Sequence, residues 1–196
     1  YSLAAVTPAE DAEYMRAVKA GDMETAQRMV GEAAKRAGYM VLAHHGTPVE
    51  GGFTEFRQGH EFQRVKGIYF TKSRHIAEQY TKRMGKLGSG PVFDVYLRMQ
   101  NPASRQDLDA LGYRGDGEAN RQSLIASGYD GLIDDFMDEI VVFDPSQIKS
   151  ADAVTYDDAG RIIPLSERFS PRSPDIRYSL QARRLDPYAL PDSLAE

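Results

Sequence analysis

The 196-residue sequence contains no cysteine and no tryptophan. The missing cysteine excludes disulfides, thiolate nucleophiles and zinc sites built from thiolates. No run of about 18 apolar residues occurs, so we predict no membrane partner and no membrane-spanning helix. Basic residues are in the minority, with 24 lysines and arginines against 29 acidic residues and a net charge of −5. Duplex nucleic acid is therefore disfavoured as a partner, because it requires a basic face that displaces counterions.

The length fits roughly one domain plus an appendage. The first residue is Tyr rather than Met, and the opening segment Tyr-Ser-Leu-Ala-Ala has a near repeat at residues 178–182. Two interpretations stay open for this repeat. Either it is a chance match, or the chain is a module cut from a larger polypeptide with similar junctions at both ends.

Residues 1–38 predict an N-terminal helical segment. Thr7 is suited to cap a first helix, with Pro8 at the first helical position and Glu10 placed for a capping box. Asp22 is suited to cap a second helix, and Gly38 follows its end. Because two short amphipathic helices bury little surface alone, we expect them to pack on the remainder of the chain.

From residue 39 the pattern changes to short apolar runs separated by Gly, Pro and Asp, which predicts strands. The predicted strands are Tyr39–His44, Gly67–Phe70, Val92–Met99, Tyr129–Ile133 and Ile140–Phe143. The predicted helices are Ser73–Arg83, Ser104–Leu111 and Glu118–Ala126. Since helices and strands do not alternate regularly, we expect an α+β domain over residues 39–155 with small, mainly antiparallel sheets. For residues 156–196 we expect a hairpin and a tail rich in Pro, Ser and Arg, without a core-forming pattern, that wraps the domain or stays mobile.

Three segments carry residue types suited to chemistry. The first is His44-His45-Gly46-Thr47 at a strand end, the second is Gly67–Phe70 with a following helix that bears Tyr80, and the third is Glu139 before an apolar strand. Each has an ordinary explanation by itself, as a turn histidine, a packing tyrosine or a solvated strand end. The histidines predict no metal site, because no H-E-x-x-H spacing occurs and adjacent residues of a strand point to opposite faces.

Taken together, these segments resemble the core of ADP-ribosyltransferases of the His-Tyr-Glu kind, such as poly(ADP-ribose) polymerases and diphtheria toxin. The matching residues are His45-Gly46-Thr47, Gly67-Ile68-Tyr69-Phe70, Tyr80 eleven residues after Tyr69, and Glu139 before Ile-Val-Val-Phe-Asp. The chain is still more similar to ADP-ribosyltransferase domains in polyvalent proteins of phages and mobile elements. That likeness includes the leading helical pair, residues 101–102, residues 128–131 and residues 143–150. The resemblance implies the ADP-ribosyltransferase fold, with split small antiparallel sheets around an NAD cleft and a preceding two-helix segment.

The resemblance also implies NAD as co-substrate and no metal. It gives catalytic roles to Glu139, His45 and Tyr69, and NAD contacts to His45, Gly46, Thr47, Tyr69 and Tyr80. In this interpretation Glu139 stabilises the positive charge that develops on the ribose as nicotinamide leaves. The two tyrosines sandwich the nicotinamide ring, the glycine lets backbone approach its carboxamide, and the histidine binds a ribose hydroxyl.

Two positions depart from the relatives' pattern. Ala77 stands where the polymerases have a serine that contacts the carboxamide, which puts one hydrogen bond in doubt. Met137 stands where arginine-modifying toxins have a further glutamate, which disfavours arginine as acceptor. The three acids of residues 134–138 indicate either a basic or hydroxyl-bearing acceptor or a merely solvated loop.

We therefore predict a mono-ADP-ribosyltransferase that modifies a macromolecule, a protein rather than a nucleic acid, as a phage or bacterial effector or toxin module. The alternatives are an NAD glycohydrolase with water as acceptor and a non-catalytic nucleotide-binding module. An RNA 2′-phosphotransferase shares the His-Gly-Thr opening but uses paired arginines that this sequence does not offer. No signal-peptide pattern is seen, so we expect the protein in the cytoplasm, or delivered into a host cell within a larger polypeptide.

Overall fold

The computed structural model describes residues 5–48, 53–59, 63–81, 90–112 and 115–177. Its helices are α1 Pro8–Ala20, α2 Met23–Arg36, α3 Arg74–Thr81, α4 Arg105–Ala110 and α5 Gly117–Ala126. Its strands are β1 Val41–Gly46, β2 Ile68–Phe70, β3 Val92–Leu97, β4 Pro102–Ser104, β5 Gly131–Asp134, β6 Glu139–Val142 and β7 Ile148–Ser150. Both copies of the near repeat fall wholly or mostly outside the described residues, as does the tail from residue 178.

Helices α1 and α2 begin where their capping residues predict. The Thr7 hydroxyl accepts from the Glu10 N–H at 3.3 Å, and the Glu10 carboxylate accepts from the Thr7 N–H at 2.8 Å. The Asp22 carboxylate accepts from the Thr25 N–H at 3.0 Å. The buried faces of both helices share an apolar cluster with Leu165 from much later in the chain. No helix among the described residues is long and apolar enough to cross a membrane.

Two small sheets make up the centre of the fold, one ordered β1-β3-β7 and the other β2-β6-β5-β4. All pairings are antiparallel except that of β4 with β5, which is parallel. The expectation of mainly antiparallel sheets is therefore confirmed, whereas a wholly antiparallel arrangement is wrong for β4. Strand β1 runs two residues beyond its predicted end, because its pairing with β3 continues to Gly46 opposite Val92.

The sheets pack on each other through a shared apolar core that includes Phe56, Phe70, Val95 and Ile140. At one edge they are joined directly, since the His44 N–H donates to the Thr71 carbonyl at 2.9 Å and the Thr71 N–H donates back at 3.0 Å. This link brings the end of β1 beside the end of β2. The link therefore places the first two of the three segments that carry candidate functional residues side by side.

Residues 164–177, which we name the C-terminal strap, lie against the domain. A short 3₁₀ helix at Leu165–Glu167 starts this segment, and Leu165 and Ile176 are buried within apolar clusters. The Ile176 N–H donates to the Thr54 carbonyl, and its carbonyl accepts from the Ser150 N–H, each at 2.8 Å. The sequence of this region shows no core-forming pattern, and yet two isolated apolar residues join the core here, because backbone pairing fixes their direction.

Candidate active site

An open cleft of about 570 Å³ lies where β1, β2, α3 and the head of β6 meet. Among its lining residues are the predicted site residues His45, Gly46, Tyr69, Tyr80 and Glu139. Thr47 is not among them. It is buried, and its N–H donates to the Pro91 carbonyl at 3.2 Å.

The His45 ring is fixed by its partner in β2. Its Nδ1 lies 2.7 Å from the Tyr69 carbonyl oxygen, and because a carbonyl only accepts, Nδ1 carries the proton. The ring also contacts Phe56 edge-on, with 5.0 Å between centroids. Burial lowers the pKa of His45 below its usual value of 6.5. At neutral pH the imidazole is therefore uncharged, and Nε2 is its acceptor atom.

Tyr69 and Tyr80 enter the cleft from two different elements. The Tyr69 hydroxyl donates to the Val65 carbonyl at 2.7 Å and accepts from the Val65 N–H at 3.2 Å, so the ring is held by main chain. Tyr80 lies near the end of α3 and is 41% exposed. The first tyrosine is rigidly placed, and the second is open to solvent.

Gly46 allows α3 to approach β1. A Cβ built on Gly46 would lie 1.8 Å from the Ala77 carbonyl oxygen, far inside van der Waals contact. Ala77 is completely buried at this crossing. The glycine is thus required for the packing of the helix that carries Tyr80.

Glu139 is the first residue of β6 and pairs across the sheet with Asp134 in β5. Its Oε2 lies 3.3 Å from Nη2 of Arg64. Burial raises the pKa of Glu139 above the usual 4.5, and the Asp134 carboxylate raises it further, whereas Arg64 opposes both effects. The Glu139 carboxyl group is therefore partly buried, and it interacts with the charges of Arg64 and Asp134.

A family model described as ADP-ribosyltransferase in polyvalent proteins matches residues 35–157, which is more than half of the chain. The chain belongs to this family. The matched range includes His45, Tyr69, Tyr80 and Glu139. No curated protein and no solved structure matches the chain. ADP-ribosyltransferases in general use NAD as co-substrate. Of the residues that the sequence resemblance predicts to contact NAD, all except Thr47 line this one cleft.

The acidic loop of residues 134–138 does not present three free carboxylates. Asp134 is buried, and Asp138 accepts from the Thr71 hydroxyl and, at 3.1 Å, from the Lys72 N–H. Asp135 pairs with the Lys72 ammonium. The side chain of Phe136 in this loop is 82% exposed, and Arg105 lies 4.9 Å from its ring centre. The loop therefore exposes an apolar tip beside a cation.

Arg64 is a residue of the cleft that the sequence interpretation missed. Its Nη2 donates to Oδ2 of Asp134 at 2.7 Å and also contacts Glu139. Both partners lie 70 or more residues further along the chain, so no local pattern reveals the link. Among the described residues, no group of three or more His, Asp or Glu is arranged to hold a metal ion.

Proposed function

We propose that this chain is an NAD-dependent mono-ADP-ribosyltransferase that transfers ADP-ribose from NAD to a macromolecular acceptor, a protein. The observation that supports this proposal is the convergence of Glu139, His45, Tyr69 and Tyr80, from four separate elements, on one cleft. A solvated strand end or a packing tyrosine would require no such convergence. The domain division at residues 38 and 155 remains part of the proposal.

The cleft residues fit a dinucleotide. A volume of about 570 Å³ lies within the range of roughly 300–1,000 Å³ that small-molecule sites occupy. With its Nδ1 proton engaged, His45 offers Nε2 as an acceptor for a ribose hydroxyl. The rings of Tyr69 and Tyr80 suit a flat nicotinamide, with each ring contact contributing about 1 kcal/mol beyond burial.

NAD would supply both the electrophilic ribose carbon and the nicotinamide leaving group. In the proposed reaction the bond from ribose to nicotinamide breaks, and its electron pair stays on the nicotinamide nitrogen. The acceptor's nucleophilic atom forms the new bond to the same carbon, and its proton passes to Glu139 or to water. The Glu139 carboxylate stabilises the positive charge that develops on the sugar in between.

Two cleft positions shape the proposal. Ala77 has no hydroxyl for the carboxamide, so that group would depend on backbone contacts near Gly46. Met137 lines the cleft where arginine-modifying relatives have a glutamate, which argues against arginine as the modified residue. The proposal includes a role as an effector or toxin module of phage or bacterial origin, either in the cytoplasm or delivered into a host cell within a larger polypeptide, and only the family resemblance supports this role.

Glu139→Gln tests the enzymatic proposal, since it keeps the shape of the side chain and removes its charge. Nicotinamide release should fall at least about a hundredfold, because one well-placed electrostatic partner stabilises a transition state by about 3 kcal/mol. The dissociation constant for NAD should stay within about twofold, because the charge acts mainly on the transition state. Glu118→Gln on α5, outside the cleft lining, is the matched control and should leave both values unchanged. Equal rates for wild type and Glu139→Gln would refute the transferase.

The acceptor requires a separate experiment. The protein is incubated with labelled NAD and a cell lysate, and modified species are identified by mass spectrometry. Label on a protein supports the transferase, whereas label found only as free ADP-ribose favours the glycohydrolase. Binding of NAD without any turnover identifies a non-catalytic module.

A further inference from the structure

Arg64 is shared by two carboxylates at the base of the cleft. Its Nη2 lies 2.7 Å from Oδ2 of Asp134 and 3.3 Å from Oε2 of Glu139. The side chain of Asp134 is fully buried, and its other oxygen accepts from the N–H groups of Phe136 and Met137 at 3.1 and 3.2 Å. Because Asp134 and Glu139 pair directly across β5 and β6, they would repel each other without the guanidinium between them.

The backbone that carries Arg64 is itself fixed from the far side. The Asn120 amide of α5 is buried and donates to the Arg64 carbonyl at 2.8 Å. A Cβ on Gly117 would lie 2.1 Å from the Gln63 carbonyl oxygen, so α5 packs directly on this loop. The Lys66 N–H completes the attachment by donating to the Gly117 carbonyl at 2.9 Å. Helix α5 therefore fixes the backbone of Arg64, and a side chain that orients another group requires such support.

The charges of the three groups explain why two acids are present. A guanidinium paired with Glu139 alone would cancel the carboxylate and leave nothing to stabilise a positive sugar. With Asp134 included, the cluster keeps one net negative charge. The buried acid thus allows an arginine to orient Glu139 without neutralising it.

We infer that Arg64 and Asp134 are positioning residues, which hold the Glu139 carboxylate in place and preserve one net negative charge toward the sugar. This inference rests on the proposed function, since it concerns the same carboxylate. Neither residue is required to touch NAD or the acceptor. Arg64 fixes Glu139, and Asp134 fixes Arg64 together with the backbone of the loop at residues 136 and 137.

The test must separate Glu139 from its titratable neighbours. The charged groups that act on it directly are Arg64 and Asp134. Other titratable or charged groups that line the cleft are His44, His45, Tyr69, Tyr80, Arg105 and Asp138. A pH profile of turnover alone would mix Glu139 with His45. The primary measurement is therefore the titration of the glutamate carboxyl carbons by ¹³C NMR on the full chain, with the Glu139→Gln spectrum assigning the signal of interest.

Arg64→Gln should raise the titration midpoint of Glu139 by about one pH unit or more, a tenfold change in its protonation ratio. Arg64→Lys, which restores the charge, should return most of this shift. Asp134→Asn should lower the midpoint of Glu139, yet slow nicotinamide release about tenfold at a pH where Glu139 is ionised. Loss of structure alone would not produce a variant in which Glu139 ionises more readily and nicotinamide release is nevertheless slower. Arg121→Gln, which removes a partly buried arginine outside the cleft lining, should change neither value.

An unmoved Glu139 midpoint in folded Arg64→Gln overturns the inference, and so does an Asp134→Asn protein that is as fast as wild type. If Arg64→Gln does not fold, Asp134→Asn decides, since a midpoint that fails to fall is also contrary to the inference. Failure of the proposed function is a different result. There the wild-type protein would release no nicotinamide and modify no acceptor, while the NMR midpoints would still report whether Arg64 holds Glu139.

Discussion

Two parts of the described structure, the cleft and the C-terminal strap, each hold buried or partly buried cations, and the cations have different partners in the two places. In the cleft, Arg64 faces two carboxylates. Beneath the C-terminal strap, the buried Lys149 ammonium donates to the carbonyl oxygens of Ser173 and Asp175 at 2.9 and 2.6 Å. The buried Arg168 guanidinium donates to carbonyl oxygens of the chain around residues 150–153 and to a tyrosine hydroxyl.

The partners determine what each cation does. The two carboxylates outweigh the single positive charge of Arg64, so the cluster presents one net negative charge to the cleft. Carbonyl oxygens orient a cation but do not cancel its charge. Burial lowers the pKa of Lys149 to about 8 and the pKa of Arg168 below its usual value, although the Asp175 and Asp152 carboxylates act in the opposite direction. Lys149, beneath the strap, and Arg168, within it, therefore attach the strap to the rest of the domain. Changes there should alter stability, whereas changes in the cleft should alter activity.

The largest expected effect follows from Arg168→Ala. Removing a fully buried side chain leaves a cavity and several carbonyl oxygens without a donor, so we expect the free energy of unfolding to fall by about 3–5 kcal/mol. Urea denaturation measures this change. Arg161→Ala, at a largely exposed arginine, should stay within about 0.5 kcal/mol. Activity per folded molecule should be unchanged for both variants, and a slow but fully stable Arg168→Ala protein would contradict the division between the two regions.

Lys149 should make stability depend on pH. Between pH 8 and 10.5 the unfolded chain keeps the proton that folded Lys149 has lost, so unfolding takes up a proton and stability rises with pH. The full rise is about 3 kcal/mol, and below pH 8 it is absent. Burial raises the pKa of Tyr39, which acts in the opposite direction above pH 10, so the useful range is pH 7 to 9.5.

Urea denaturation across that range measures the effect. Lys149→Met should remove the rise, while Lys35→Met at an exposed site on α2 should retain it. Parallel curves for wild type and Lys149→Met would mean that the ammonium is not held under the strap as the structure shows.

How much could be read from the sequence differs between the same two regions. The caps of α1 and α2 were predictable because a capping residue and its partner lie three residues apart. The cleft residues His45, Tyr69 and Glu139 could be named from motifs in the order of the chain. Arg64 could not, because its role depends on the register that places Asp134 opposite Glu139.

The strap and the short strands were harder still. Strands β4 and β7 have three residues each, too few for alternation to be visible, and β4 begins with a proline. The strap looks like a tail because it is rich in Pro, Ser and Arg. Its buried cations are bound by main-chain carbonyls, which every residue carries, and composition therefore cannot predict which carbonyls receive a buried cation.

Gly46→Ala should lower both stability and NAD affinity, because this glycine is needed for the packing of α3 on β1 and also lines the cleft. The added methyl would collide with the Ala77 carbonyl, so α3 must move away from β1. We expect a loss of about 1–3 kcal/mol in stability, as for other overpacked sites, and a dissociation constant for NAD about tenfold higher. Calorimetry measures both. Gly31→Ala on α2, whose Cβ would meet only the end of the Tyr96 side chain, should leave NAD binding unchanged.

Tyr80 should give the smallest effect and the cleanest separation of activity from stability. It is 41% exposed, so Tyr80→Ala should change the free energy of unfolding by no more than about 0.5 kcal/mol. Loss of one ring contact with nicotinamide, about 1 kcal/mol, should raise the dissociation constant for NAD about fivefold. Tyr80→Phe keeps the ring and should bind NAD nearly as well as wild type. If Tyr80→Phe binds as weakly as Tyr80→Ala, the hydroxyl rather than the ring face makes the contact, and the stacking role assigned to this residue is wrong.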